Sequence, residues 1–234
     1  MNKIKIYNAA ALFNGRENLF NVMLDLRLNE LGYETFLSQK DGFEFSKLNE
    51  ALRGMLSPDE IDIATSDIIY LWDMGFNLPK CDVVLANMDE PLDPGVDIEQ
   101  TYGRLMGKFV IGFRTDVRSP YGDIEDKWGG MHFFPGRQCD VFLKHDMFCK
   151  DEKEALKKLD ELAKKIHKII QENEIKINNK ISIENPVVAK AIERADKLFS
   201  GISDVCSEQG LIEISKRYSE DPTYYSIGPV KFGF

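Results

Sequence analysis

Short hydrophobic runs alternate with amphipathic segments through the first 150 residues of the chain. Five runs have the apolar character of buried strands, the last of them the shortest: Lys3–Ala9, Tyr33–Leu37, Cys81–Met88, Lys108–Phe113 and Asp140–Leu143. Glu17–Leu31 has helical spacing instead, with Leu24 and Leu28 on one face. This alternation is typical of βαβ units, so it predicts an α/β fold around a mainly parallel sheet.

The helical patterns divide the chain into two predicted regions. Besides Glu17–Leu31, helices are predicted at Phe45–Leu56, in a segment opened by Ser57 and Pro58, from about Asp97, after Lys150, and at Pro186–Phe199. The composition becomes rich in Lys and Glu after Lys150. We therefore predict a domain over residues 1–150 and a helical C-terminal extension over residues 151–234. The aromatic end of the chain, Arg217–Phe234, is predicted to be irregular and packed.

Composition and charge narrow the possible partners. The chain has 234 residues, is 43% hydrophobic and carries a formal net charge of -9, which argues against a surface for nucleic acid. A small ligand is therefore expected. No apolar run is long enough to cross a membrane and the amino terminus has no signal-peptide pattern, so we predict a cytoplasmic protein. The four cysteines are dispersed and form no CxxC pair, which argues against a metal site and against disulfides.

Polar residues follow the predicted strands, where open α/β sheets bind their ligands. The segment after Cys81–Met88 carries the largest group, namely Asp89, Asp93, Asp97 and Glu99, and we also interpret Asp73 and Gln39 as residues at strand ends. We expect them to converge on one cleft. Each has an ordinary structural alternative, since acids favour helix starts and polar residues build turns.

Several of these segments resemble the nucleoside 2-deoxyribosyltransferase family and its related nucleoside and nucleotide N-glycoside hydrolases. The resemblance covers about residues 3–145 and rests on segments in the family's order and spacing: IYNAAALFNGREN, FLSQKDG, the Asp73 segment, CDVVLANMD, LDPGVDIEQTYG and GKFVIGFRTDVR. The most specific element is Asp93-Pro94-Gly95-Val96-Asp97-Ile98-Glu99. The resemblance implies a doubly wound, Rossmann-like or flavodoxin-like sheet with helices on both faces.

The resemblance also implies roles for three carboxylates. Glu99 matches the nucleophile that attacks the anomeric carbon of the deoxyribose, which suits the oxocarbenium character of N-glycoside cleavage. Asp73 matches the acid–base group of the nucleobase, a role that needs a pKa raised toward neutrality. Asp93 matches the aspartate on the sugar side. Asp97 is interpreted as a charge at the helix start.

Four further residues are assigned to substrate by the resemblance. Tyr7 is expected to orient the nucleophile, Gln39 to contact the base, and Phe13 to form an apolar wall, with core packing as the alternative for both aromatic residues. Asp140 stands where the family usually has an asparagine, contributed by a neighbouring subunit to the sugar 5′-hydroxyl. An acid there would repel a 5′-phosphate.

Two further loops have predicted roles. Asp116 and Arg118 are interpreted as structural braces of a turn, and the long loop Tyr121–Arg137 is of the type that closes over a substrate.

Three functions remain open at this point. The first is transfer of 2-deoxyribose between nucleobases, by a ping-pong route through a glycosyl-glutamate. The second is hydrolysis through the same intermediate, and the third is a non-catalytic nucleoside-sensing module. The resemblance implies a free nucleobase and a 2′-deoxyribonucleoside as substrates, with neither a metal nor an organic cofactor. No nucleic-acid or membrane partner is expected from the charge and the apolar runs. The resemblance also implies a homo-oligomer, a dimer or larger, with shared active sites.

Overall fold

The computed structural model describes residues 3–175 and 185–226. The chain divides into two compact units. The first comprises Met1–Leu37 and Lys80–Ser182, and the second comprises Ser38–Pro79 and Ile183–Phe234. The compact units have different limits from the two regions predicted from the sequence, residues 1–150 and 151–234. The end of the family-like domain at residue 150 stays a prediction.

The elements of both units can be named in chain order. The strands are β1 (Lys5–Ala9), β2 (Glu34–Leu37), β3 (Val83–Asn87), β4 (Phe109–Arg114) and β5 (Val141–Lys144). The α-helices are α1 (Gly15–Glu30), α2 (Ser38–Asp41), α3 (Phe45–Arg53), α4 (Pro58–Tyr70), α5 (Pro94–Leu105), α6 (Phe133–Arg137), α7 (Glu152–Glu172), α8 (Pro186–Phe199), α9 (Glu208–Glu220) and α10 (Pro222–Tyr225). A π-helical segment, Leu71–Asn77, and a short 3-10 helix, Leu78–Lys80, follow α4.

The first unit is built on a five-stranded parallel sheet in the order β2-β1-β3-β4-β5. This confirms the predicted α/β, doubly wound class. Alternate residues of the strands face opposite sides, because side chains alternate along a strand. Ile6 and Leu85 belong to a core shared with α1 and α7, including Leu28 and Leu162, all of them buried. Helix α5 covers the other face of the sheet, where Gly103 meets Val84.

The second unit is helical and has an aromatic centre. Trp72 stacks on Phe76 with ring centroids 4.9 Å apart and meets Phe199 of α8 edge-on at 5.0 Å. Gly75 lets the π-helical segment approach α8 closely, since a Cβ there would lie 2.6 Å from the Cβ of Ala195. The segment that carries Asp73 is therefore fixed by packing within its own unit.

Three local predictions were wrong. Asp73 does not follow a strand, because Leu71–Asn77 continues the helical path of α4. Helix α5 begins at Pro94 rather than at about Asp97, since Asp93 already caps it. The end of the chain is more regular than predicted: α9 runs to Glu220, while the part of that prediction over residues 227–234 lies outside the described residues.

Candidate active site

The order of the strands reverses between β1 and β3, which leaves a crevice at the carboxyl ends of these strands. Ligands of open α/β sheets bind at such switch points. The loop after β3 enters α5 directly, and Tyr7 lies on β1 beside it. The fold of the first unit therefore carries part of the predicted site to this crevice.

Asp93 fixes the start of α5. Its Oδ1 accepts hydrogen bonds from the backbone N–H groups of Gly95, at 2.9 Å, and Val96, at 3.2 Å. A side chain in this position satisfies N–H groups that have no partner inside the helix, and Pro94 suits the first helical position because it needs no such partner. Asp93 therefore has a structural function besides the one that the resemblance implies.

Close packing then sets the height of α5 above the sheet. Val96, Gln100 and Gly103 form its buried face. A Cβ on Gly103 would lie 2.5 Å from Cγ2 of Val84, closer than real side chains approach. Only glycine allows this contact, and Glu99 sits one helical turn before it, at the flank of the buried face.

Tyr7 and Glu99 meet in the first unit. The Tyr7 hydroxyl donates a hydrogen bond of 2.7 Å to Oε1 of Glu99. Tyr7 is fully buried and its ring stacks on Phe36 with centroids 5.1 Å apart, so the hydroxyl has little freedom. Glu99 is half-buried. The Tyr7 ring therefore lies in the core and its hydroxyl bonds to the Glu99 carboxylate, while the orientation of a nucleophile by Tyr7 stays a prediction.

Asp97 lies on the other flank of the buried face of α5. Its Oδ1 accepts a hydrogen bond of 2.9 Å from Nε2 of the buried Gln100. Partial burial raises the pKa of Asp97 above its ordinary value, while the bond from Gln100 opposes that shift. Asp97 lies in the first turn of the helix, as the interpretation of a helix-start charge requires.

Phe13 does not belong to the core. Its side chain is 78% exposed, in the loop between β1 and α1. The backbone N–H of Phe13 donates to Glu17 at 2.8 Å, which ties the loop to the first turn of α1. Core packing is therefore excluded, and an apolar wall for a nucleobase stays the prediction.

Asp140 is held by contacts within the first unit. Its Oδ1 accepts from Nη1 of Arg104 at 2.9 Å, and its Oδ2 accepts from the backbone N–H of Val110 at 2.8 Å. These bonds join the start of β5 to β4 and α5, so they explain an acid at this position in structural terms. Its contact with a sugar 5′-hydroxyl, and the expected repulsion of a 5′-phosphate, stay predictions.

The second unit carries Asp73 and Gln39. Oδ1 of Asp73 is buried and has no hydrogen-bond partner among the described residues. Burial disfavours the charged carboxylate and raises the pKa of Asp73 to about 7. Segments of π-helix are frequent at functional sites, and an acid that titrates near neutrality can both give and take a proton.

Gln39 lies in α2, directly after β2, and is half-buried. Its role toward a nucleobase, and the convergence of Gln39 and Asp73 with Glu99 on one cleft, stay predictions.

The described residues provide neither a cluster of metal ligands nor a helix that could span a membrane. No group of three or more His, Cys, Asp and Glu side chains within residues 3–175 and 185–226 is arranged to hold a metal ion. In the same part of the chain, no helix has the length and apolar content needed to span a membrane.

No protein-family model and no curated protein matches the chain. Among solved structures, the CMP N-glycosidase BcmB of Clostridium botulinum is similar, with 21% identity and a TM-score of 0.36. The match covers 68% of this chain and 98% of that one.

The structural role of Asp89, which joins two loops, was not predicted from the sequence. We expected it in the cleft, but its carboxylate accepts hydrogen bonds from Thr115 and Asp116 in the loop after β4. The signal in the sequence is the Thr115-Asp116 dipeptide, whose N–H groups can donate to a nearby carboxylate. It follows β4, the neighbour of β3, and the loops after adjacent parallel strands lie side by side.

Proposed function

We propose that the protein cleaves the N-glycosidic bond of 2′-deoxyribonucleosides and transfers the deoxyribose to another nucleobase. The observation that carries this proposal is the hydrogen bond of 2.7 Å from the Tyr7 hydroxyl to Glu99 at the switch point of the sheet. A fixed carboxylate at this place fits a nucleophile better than a helix-start charge, because Asp93 already caps α5.

The chemistry follows from the properties of the bond. In the first step, an oxygen of the Glu99 carboxylate bonds to C1′ while the C1′–N bond breaks, and the electron pair of that bond goes to the base. In the second step, the nitrogen of an entering base bonds to C1′ and the Glu99 carboxylate leaves. The negative charge of Glu99 stabilises the oxocarbenium character of both transition states.

Proton transfer is assigned to Asp73. The departing base needs a proton and the entering base must lose one, so the same group must work in both directions. A carboxyl whose pKa is raised to about 7 by burial meets that need, and this supports the role that the resemblance implies.

Incubation with deoxyinosine, with and without free adenine, tests the function. We expect deoxyadenosine and hypoxanthine when adenine is present. Release of hypoxanthine at the same rate without adenine, and no deoxyadenosine with it, would indicate that water resolves the intermediate. Absence of both products would contradict catalysis and leave nucleoside binding.

A matched pair of variants on α5 tests the residue. Glu99→Gln removes the nucleophilic carboxylate and keeps its shape, so we expect turnover to fall by about 10⁴-fold or more. Asp97→Asn makes the same chemical change two residues earlier, and we expect turnover within about threefold of wild type. Equal loss in both variants would argue against a specific role of Glu99.

The assembly is part of the proposal. The resemblance implies a homo-oligomer with shared sites, and molar mass measured by light scattering across a dilution series tests it. A mass equal to one chain at concentrations where turnover is maximal would contradict shared sites.

A further inference from the structure

We propose that Asp89 and Asp116 form a reciprocal clamp that positions Asp93 and Glu99 for the reaction, an inference that rests on the proposed function. The clamp joins the loop after β3 to the loop after β4. Neither carboxylate is assigned to substrate; each acts through the backbone that it holds. Both are therefore positioning residues.

Asp89 holds the loop after β4. Its Oδ1 accepts from the backbone N–H groups of Thr115, at 2.6 Å, and Asp116, at 3.0 Å. Its Oδ2 accepts from the Thr115 hydroxyl at 2.6 Å. Hydrogen bonds to a charged acceptor are shorter and stronger than neutral ones, so this carboxylate fixes both the position and the direction of the Thr115–Asp116 backbone.

Asp116 holds the loop after β3 in return. Its Oδ2 accepts from the backbone N–H of Glu90 at 2.7 Å, one residue after Asp89. Its Oδ1 accepts from Nη2 of Arg114 at 2.9 Å, and the Arg114 side chain is only 1% exposed. Arg118 pairs with Asp116 from the solvent side at 2.7 Å. Two arginines therefore hold the acid that holds Glu90.

The clamp lies directly before the residues that it positions. Two residues lie between Glu90 and the helix cap Asp93, and Glu99 follows in the second turn of α5. The contact of Gly103 with Val84 fixes α5 farther along. The clamp fixes the other end, so the Glu99 carboxylate is held between two anchored points. Displacement of a reacting group by about 1 Å can cost about 100-fold in rate.

Asp89 and Asp116 each form more hydrogen bonds than a turn requires. An ordinary Asx turn uses one bond from the acid to its own loop, as Asp146 does with the backbone N–H of Phe148 at 2.7 Å, besides its ion pair with Lys158 of α7 at 2.9 Å. Asp89 instead bonds across 26 residues of sequence to a neighbouring strand end. These bonds join the two loops to each other, which is what a positioning function requires.

Asp89→Ala, Asp89→Asn and Asp146→Ala, each in the full chain, test the clamp. The measurements are kcat and KM with deoxyinosine and adenine, hydrogen exchange of the Gly95 and Val96 amides, and the denaturant midpoint. Asp146 is the matched control, because it also follows a strand of this sheet and accepts a backbone N–H.

For Asp89→Ala we expect kcat to fall about 10- to 100-fold, KM to stay within about threefold, and the two amides to exchange about tenfold faster. Asp89→Asn should restore most of kcat, because its oxygen still accepts from the two N–H groups and its amide can donate to the Thr115 hydroxyl. Asp146→Ala should change neither kcat nor these amides.

Three results would overturn the clamp. The first is wild-type kcat and amide exchange in Asp89→Ala, the second is no rescue by Asp89→Asn, and the third is an equal loss in Asp146→Ala. If Asp89→Ala does not fold, Thr115→Val removes the hydroxyl donor alone and should show a smaller loss of the same kind. If the wild type shows no turnover, the proposed function fails, while the amide exchange still decides the clamp.

Discussion

Removal of one oxygen atom from Tyr7 tests how the Glu99 carboxylate is oriented. In Tyr7→Phe the ring still stacks on Phe36, whose centroid lies 5.1 Å away, so the core is preserved. The bond of 2.7 Å to Glu99 is lost. A hydrogen bond to a charged group contributes about 1.5–3 kcal/mol, and each 1.4 kcal/mol is tenfold in rate. We therefore expect kcat/KM to fall between about 10- and 150-fold.

Tyr33→Phe is the matched control for this prediction. It removes another buried hydroxyl of the first unit, which bonds to Nδ1 of His167 at 2.7 Å. Tyr33→Phe should lower the free energy of unfolding by about 1 kcal/mol and Tyr7→Phe by about 1.5–3 kcal/mol, because only the second bond is to a charged group. Only Tyr7→Phe should lose activity. A kcat/KM for Tyr7→Phe within twofold of wild type would refute the reasoning. So would an equal loss of activity in Tyr33→Phe.

Three further variants separate the functions of other residues. Burial raises the pKa of Asp73 above that of the unfolded chain, so the folded state binds more protons between about pH 4 and 7 and the wild type loses stability as pH rises through that window. Asp73→Asn should therefore melt higher than wild type at pH 8 and equally at pH 4, with its turnover abolished; melting curves with the opposite order would contradict this. Asp93→Asn keeps the helix cap, so its free energy of unfolding should stay within about 0.5 kcal/mol of wild type while kcat falls. An unchanged kcat would limit Asp93 to capping. Gly103→Ala forces a Cβ to 2.5 Å from Val84 and should cost about 1–3 kcal/mol of unfolding free energy, which Val84→Ala in the same chain should partly restore; no recovery would place the strain elsewhere.

The sheet could be predicted from the sequence because its central strands β1, β3 and β4 are buried on both faces. Runs such as Cys81–Met88 have few polar residues, and such continuous apolar runs mark central parallel strands. Helix α8 was also predicted at its observed limits, Pro186–Phe199, since Asn185 and Pro186 open it in the usual way. Strong local signals of this kind need no information from distant residues.

Asp73 was wrongly predicted to follow a strand, because the apolar run that contains it is ambiguous. IIYLWDMG is apolar enough for a buried strand, and a short apolar run does not distinguish a strand from a buried helix. Its helical form depends on Gly75 and Phe76 packing against α8, more than 100 residues later. Burial of Asp73, by contrast, could be predicted from Trp72 and Met74, both of which are buried.

The site was predicted in part. The bond between Tyr7 and Glu99 agrees with the role that the resemblance implies for Tyr7, and the cap formed by Asp93 follows from the DPG turn. The bonds of Asp89 to Thr115 and Asp116 depend on the alignment of β3 with β4, which the sequence pattern does not specify.

The central claim is that Glu99 bonds covalently to the sugar, and mass spectrometry tests it most directly. A 2′-deoxy-2′-fluoroarabinosyl nucleoside slows both steps, because the fluorine disfavours the oxocarbenium-like state, and the slow second step lets the intermediate accumulate. After incubation, acid quenching and digestion, we predict the sugar on the peptide that contains Glu99, with loss of the adduct when adenine is added. Attachment of the sugar to any other residue would contradict the account.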